Sequence, residues 1–326
     1  MPNIINQSNI NVKLDDLKIA FLGTPEFALP VLEKLAQSGY KPAAVFCAPD
    51  KPVGRKQILT PPPVKVAAQK YNLPVYQPAS ISDFRLQASG LKLDLIISAA
   101  YGLILPKEII DQPKHGCLNV HPSLLPKYRG PSPIQAAILN GDKETGVTII
   151  EMDEKIDHGP IIASYKLKVL SFKFTTPELS QRLSELGAQL LIEILPDWLE
   201  GKIKPVPQDD SQTIYTKIIK KEDGLIDWQK SAEEIERQIR AYTPWPGAHT
   251  EFKVKSYKLK VIEAETLEKI TDKKIGEVFL TEDGQLAIQT GQDALAVKKV
   301  QIEGGKPMGS ADFLRGHSEL IGQILS

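Results

Sequence analysis

Short apolar runs at Lys18–Leu22, Ala43–Ala48, Leu93–Ala99, Cys117–Val120 and Val147–Met152 alternate with segments of helical period along the first half of the chain. Runs of this length bounded by turn residues read as strands covered on both faces, and strand–helix alternation builds an α/β fold: a doubly wound, mostly parallel, Rossmann-like sheet. Lys18–Leu22 ends in Gly23-Thr24-Pro25-Glu26, after which Phe27, Val31, Leu32 and Leu35 fall on one helical face and Gly39 stops the helix. The Gly23 turn lacks G-x-G-x-x-G, so no dinucleotide site is expected there. A long amphipathic helix from Pro177 to about Gly201 closes this part.

Beyond it the pattern changes. Residues 202–216 carry Pro205 and Pro207 without a period in their first half and read as a linker. The stretch 217–326 carries one helical segment, Ala232–Ala241, then Pro244-Trp245-Pro246-Gly247 and short alternating runs around Phe252, Leu259–Ile262, Gly276–Leu280, Leu286–Thr290 and Ala294–Ile302. Several short strands with turns between them predict a small OB-like β-barrel. The expected organisation is a loose tail over 1–17, a first domain over 18–201, the linker, and the barrel domain over 217–326.

The chain's 326 residues suffice for two cores, and 42% hydrophobic with 25% charged residues is ordinary for a globular enzyme. No apolar run approaches the roughly 20 residues of a membrane span, and no basic and apolar leader opens the chain. A cytoplasmic, monomeric protein is expected. Cys47 and Cys117 lie within apolar runs and read as buried, reduced thiols. The histidines have no metal-ligand spacing, so no metal is expected; no tightly bound cofactor is expected either. Lysine plus arginine and aspartate plus glutamate number 40 each, so any nucleic-acid contact must rest on local patches.

The chemistry concentrates between Cys117 and Ile161. Alternation along a strand points Asn119 and His121 to one face, and Pro122 ends the strand before the turn Ser123-Leu124-Leu125-Pro126. Asp157 follows in a glycine-bounded loop after the next strand. Taken singly, these are a strand-end amide, a turn histidine and a loop carboxylate. Together, an amide donor, an imidazole and a carboxylate are the parts that stabilise an oxyanion and orient a proton carrier.

The string Asn-x-His-Pro-Ser-Leu-Leu-Pro with a distal Asp-x-Gly-Pro-Ile resembles the folate-dependent formyltransferases. Phe21-Leu22-Gly23-Thr24-Pro25-Glu26-Phe27, Pro49-Asp50-Lys51-Pro52, Ala100 to Pro106, Ile226-Asp227-Trp228 and Pro244-Trp245-Pro246 extend the likeness nearly to the C-terminus, toward the branch that formylates charged initiator tRNA. The resemblance implies a catalytic centre of Asn119, His121 and Asp157, with 10-formyltetrahydrofolate as formyl-donor cosubstrate. It places folate against Ser123, Leu124, Leu125 and Pro126 and against backbone groups near Tyr101, Gly102 and Leu103. A carboxylate, a histidine or ordered water remain open as the proton carrier. His158 receives no role.

The basic, proline-punctuated loop Pro49–Pro63 has Arg55 where relatives use an arginine toward the acceptor end of tRNA. It is one residue shorter than Gly-Arg-Gly-Lys-Lys and less basic, with Lys56 beside Arg55. Lys220, Lys221, Lys258 and Lys260 are further candidate phosphate contacts. The alternative acceptor is a small-molecule amine, a purine precursor or an amino sugar.

Overall fold

The structure, a computed structural model, describes residues 16–54, 56–169, 173–252, 257–268 and 272–325. Arg55, most of the expected N-terminal tail, Lys253 and Lys255 lie outside the described residues. Packing divides the chain into two compact units. One comprises residues up to Gly130, Glu144–Leu167 and Ser180–Thr216, and the other Pro131–Lys143, Lys168–Leu179 and residues from Lys217 onward.

In chain order the elements begin with β1 (Ile19–Gly23), α1 (Leu29–Gln37), β2 (Ala44–Phe46), β3 (Lys51–Val53), β4 (Ile58–Thr60), α2 (Pro63–Lys70), β5 (Val75–Tyr76) and α3 (Ile81–Ala88). They continue with β6 (Leu95–Ala99), α4 (Lys107–Ile110), β7 (Cys117–His121), α5 (Pro133–Leu139), β8 (Glu144–Glu151), β9 (Ile161–Lys168) and α6 (Thr176–Leu199). The first unit is built on a seven-stranded sheet of order β5-β2-β1-β6-β7-β8-β9. Every residue of β1, β2 and β6 is buried, as parallel strands covered on both faces require. The pairs Phe21↔Ile97, Ile97↔Leu118 and Ser98↔Asn119 set the register that places Asn119 beside the end of β6.

Past β7 the sheet departs from a parallel arrangement. β8 runs antiparallel to β7, pairing His121 with Thr148 and Leu118 with Glu151, the antiparallel edge that mixed α/β sheets often carry. The end of β8 therefore lies opposite the start of β7, and Asp157 reaches the Asn119–His121 face only because the loop 152–160 turns back. Helix α6 approaches β7 and β8 closely at Gly187, where a Cβ would sit 2.6 Å from Val120 Cγ1. The stretch expected as a linker packs within the first unit: Val206 pairs with Ile161, and Arg129 with Tyr215.

Burial pushes the Cys47 thiol up to about 11 and that of Cys117 up to about 12. Both are free and buried, as expected of inert core thiols.

The second unit holds α7 (Ala232–Ala241), β10 (His249–Phe252), β11 (Tyr257–Leu267), β12 (Val278–Leu280), β13 (Leu286–Gln289), β14 (Ala294–Ile302), β15 (Met308–Gly309) and α8 (Ser310–Gly316). Its antiparallel sheet has the order β10-β11-β14-β13-β12, with β15 also on β14. The expected OB-type strand set corresponds to this sheet; among the described residues its outer strands β10 and β12 do not pair with each other. Ile226, Trp228, Ile235, Ile239, Leu259, Leu295 and Phe313 are among the buried residues of its core. Trp228 satisfies its indole N–H on Thr250 Oγ1 at 3.1 Å. Ser231 and Glu234 form a reciprocal capping box that starts α7. Helix α5 belongs to this unit and is fastened to α7 by Arg237 Nε, which donates to the Leu139 carbonyl at 3.1 Å.

Candidate active site

Strand alternation puts Asn119 and His121 on one face of β7, and both meet the same atom. Asn119 Nδ2 donates to Asp157 Oδ1 at 3.2 Å, and His121 Nδ1 lies 3.4 Å from that oxygen. The other carboxylate oxygen accepts the Gly130 N–H at 2.8 Å. Asp157 itself takes a left-handed backbone with φ 48°, a region that aspartate and asparagine tolerate better than most side chains. The imidazole is buried, 4% exposed, and its Nε2 faces the Tyr128 carbonyl at 2.9 Å. Each ring nitrogen thus faces an oxygen acceptor: a ring with one hydrogen satisfies one of them, and a ring with two satisfies both.

Residues that sequence reasoning passed over complete this arrangement. Tyr128 supplies the carbonyl at the imidazole and Gly130 the N–H at the carboxylate. Gln208 Nε2 donates to the carbonyls of Asp157 at 2.9 Å and Gly159 at 2.7 Å. Arg129, 1% exposed, grips Gln208 Oε1 through Nε and Nη2 at 3.0 and 2.9 Å. Gly130 lies four residues beyond the Ser123–Pro126 turn, and nearness to that string was its signal. Gln208 lay in an aperiodic stretch and gave none. His158, left without a role, places Nδ1 2.5 Å from Asp153 Oδ2 and Nε2 3.6 Å from Asp210 Oδ2.

The residues expected near folate divide into groups with different surroundings. Ser123 is fully buried and its hydroxyl donates to the Lys127 carbonyl at 2.6 Å, so that side chain serves the turn itself. The Ser123 carbonyl accepts from Thr148 Oγ1, which in turn accepts the Leu125 N–H. Leu125 is buried, Leu124 and Pro126 are half-buried, and the Leu125–Pro126 bond is cis. Tyr101 turns its ring into the apolar cluster of Phe46, Phe84 and Leu105, and its carbonyl accepts from Thr24 Oγ1 at 3.0 Å. Leu103 packs on the same cluster. Gly102, at φ 95°, opens onto free space: a Cβ there would meet nothing within 4 Å.

The basic, proline-punctuated loop Pro49–Pro63 contains a hairpin, β3 with β4, whose strand residues are all exposed. Lys56 is exposed at its turn. In the second unit, Lys220 and Lys221 are exposed. Lys258 and Lys260 alternate on β11 opposite Glu251 and His249, with Lys258 Nζ 3.8 Å from Glu251 Oε1.

Comparison with known proteins follows the same two-part layout. The Formyl transferase profile matches residues 17–195, and the Formyl transferase, C-terminal domain profile matches residues 218–318. A methionyl-tRNA formyltransferase of Halalkalibacterium halodurans is 44% identical over 95% of this chain and 98% of its own. The chain belongs to the methionyl-tRNA formyltransferase family. Formyltransferases of that name from Bacillus velezensis and Citrifermentans bemidjiense are 42% and 41% identical, over 94% and 95% of this chain and 97% and 96% of theirs. Among solved structures, an N-formyltransferase from Helicobacter canadensis superposes with TM-score 0.63 at 23% identity, over 86% of this chain and 99% of its own. HypX from Aquifex aeolicus gives 0.65 at 19% identity over 94% of this chain, which spans 48% of HypX. At these identities the structures share the fold. Among the described residues no helix is long and apolar enough to cross a membrane.

Proposed function

We propose that this chain transfers the formyl group of 10-formyltetrahydrofolate to the α-amino group of methionyl initiator tRNA, in the cytoplasm, with Asn119, His121 and Asp157 as its catalytic centre. The observation that carries the reading is the convergence of Asn119 Nδ2, His121 Nδ1 and the Gly130 N–H on one carboxylate, in a chain so similar to methionyl-tRNA formyltransferases. The neutral amine attacks the formyl carbon, a C–N bond forms, and the carbonyl oxygen becomes an oxyanion. The Asn119 amide, which gives one of its two hydrogens to Asp157, has a second to direct at that charge, and the imidazole can join it by leaving one of the two oxygens it faces. As the intermediate collapses, the bond from the formyl carbon to the folate nitrogen breaks. The amine loses one proton while the folate nitrogen gains one, so the overall proton count is unchanged. Asp157 and His121, adjacent through Oδ1 and Nδ1, are a pair over which that proton can be passed.

The pterin is assigned to the space around Gly102 and the half-buried Leu124–Pro126 turn, where apolar surface and backbone groups suit a flat ring. Ser123 is proposed to shape that turn through its bond to the Lys127 carbonyl. Arg55 and Lys56, together with Lys220, Lys221, Lys258 and Lys260, are the proposed contacts to tRNA. The residues 18–201 then carry the chemistry and the residues 217–326 the RNA platform.

The deciding experiment supplies labelled 10-formyltetrahydrofolate and compares charged initiator tRNA, charged elongator tRNA and free methionine as acceptors. Transfer to initiator methionyl-tRNA well above the other two is expected. Equal transfer to free methionine overturns the acceptor assignment, and formate released without an acceptor overturns the transferase assignment.

For the platform, the double change Lys220→Ala, Lys221→Ala is expected to weaken initiator and elongator tRNA alike, because phosphate contacts position without reading sequence. The log–log salt dependence should become shallower by about one unit for each phosphate that is no longer neutralised. Unaltered tRNA affinity and slope would return these lysines to the role of a solvated surface. Arg55→Ala should lower kcat/KM for initiator tRNA with folate binding intact, and Lys at that position should restore only part of it.

A further inference from the structure

We infer that Arg129 and Gln208 are positioning residues for the reaction, acting through the main chain of Asp157; the inference rests on the catalytic reading of Asp157. Tyr128, Arg129 and Gly130 hold both partners of the site at once. The Tyr128 carbonyl meets His121 Nε2, the Gly130 N–H meets Asp157 Oδ2, and the Arg129 side chain between them reaches the Asp157 backbone through Gln208.

The geometry of that relay is specific. Arg129 Nε and Nη2 both donate to Gln208 Oε1, which fixes the orientation of the amide. The amide nitrogen must then point the other way, and its two hydrogens go to the carbonyls of Asp157 and Gly159, on either side of His158. These bonds hold the segment in which Asp157 adopts φ 48°. Arg129 also donates to Asp210 Oδ1 at 2.8 Å, and its own backbone is tied to Ile214 and Thr216. Keeping a guanidinium 1% exposed is a costly way to fill space, since an apolar residue would pack there without desolvating a charge. Its return is directional: a planar fork presets the amide, and the amide presets the carboxylate.

Gln208→Glu separates positioning from packing. A glutamate keeps the volume and the acceptor oxygens for Arg129 but has no N–H for the two carbonyls. Gln208→Met removes both functions at similar length. At saturating folate and initiator tRNA, Gln208→Glu should still fold, with a lowered melting temperature no further down than that of Gln208→Met, because both leave the two carbonyls without their donor while the glutamate keeps its bonds to Arg129. It should lower kcat about ten- to a hundredfold with little change in either KM, the scale of effect that a displaced reacting group produces. The pH profile of kcat should move as well, because the Asp157–His121 contact is altered. In an Asp157→Asn background the same change should add little.

Wild-type kcat and pH profile in both Gln208 variants, with Asp157→Asn inactive, overturn the positioning role. A loss of kcat that is equally large with and without Asp157 also overturns it, since that marks a general structural effect. If Asp157→Asn alone retains wild-type turnover, the reading of Asp157 fails and this inference fails with it, by a result separate from the other two.

Discussion

Asp157→Asn is expected to lower the turnover of formyl transfer by on the order of a hundredfold or more while the protein stays folded. The native carboxylate accepts from Asn119 and Gly130 and faces His121 Nδ1. An amide offers one acceptor oxygen and one NH2 group, so one of these N–H donors must face another donor. The backbone is not the cause, because asparagine tolerates the left-handed φ of 48° at this position. Asn119→Ala removes the amide donor, and His121→Ala removes the imidazole and leaves the Tyr128 carbonyl without it. Each should cost a similar factor, and the double variants should cost far less than the product of the singles, since the three groups act as a unit. Single-turnover rates at saturating substrates, with melting curves on the same samples, measure this. Near-native turnover in a folded variant would remove that residue from the centre.

Gly159→Ala is expected to destabilise the protein by about 3 kcal/mol or more, at the upper end of overpacking costs. A Cβ at this position would lie 1.8 Å from the Glu151 carbonyl oxygen and 3.3 Å from the Asp153 nitrogen. Both are main-chain atoms, and no rotamer change relieves the overlap. The loop 152–160 must then open where it returns from β8, and Asp157 with it. Gly316→Ala is the matched control, because a Cβ there meets nothing within 4 Å and no left-handed φ is involved. Chemical denaturation of the two variants should give a large drop in midpoint for the first and almost none for the second. A native-like midpoint for Gly159→Ala would mean that the loop can shift at little cost, and the tight placement of Asp157 would lose its basis.

The period-two alternation of Cys117 to His121 forces residues 119 and 121 to one side of any extended strand, so the face they share was readable from sequence alone. The same holds for the helix over Ala232–Ala241 and for the strand-like runs of the second half, because local propensity and capping residues agree there with the final packing. The hairpin β3–β4 was not readable. Its strands are three residues each, one carries Pro52, and all are exposed, so no apolar pattern marks them.

Which chemical groups are present, the face from which Asn119 and His121 project, and the strand–helix alternation that builds the sheet are all legible in the order of residues. Those are local properties, set by backbone geometry over a few residues. Long-range packing sets the antiparallel direction of β8 on β7, the return of the following loop that brings Asp157 to Asn119 and His121, and the bonds from Arg129 through Gln208 that hold it there. The bond from Arg129 to Gln208 joins residues 79 positions apart, and no periodicity or turn signal records a pairing over that distance. It forms only when the sheet has brought both segments to the same edge, and a polar side chain in an aperiodic stretch reads the same whether it faces solvent or another chain segment.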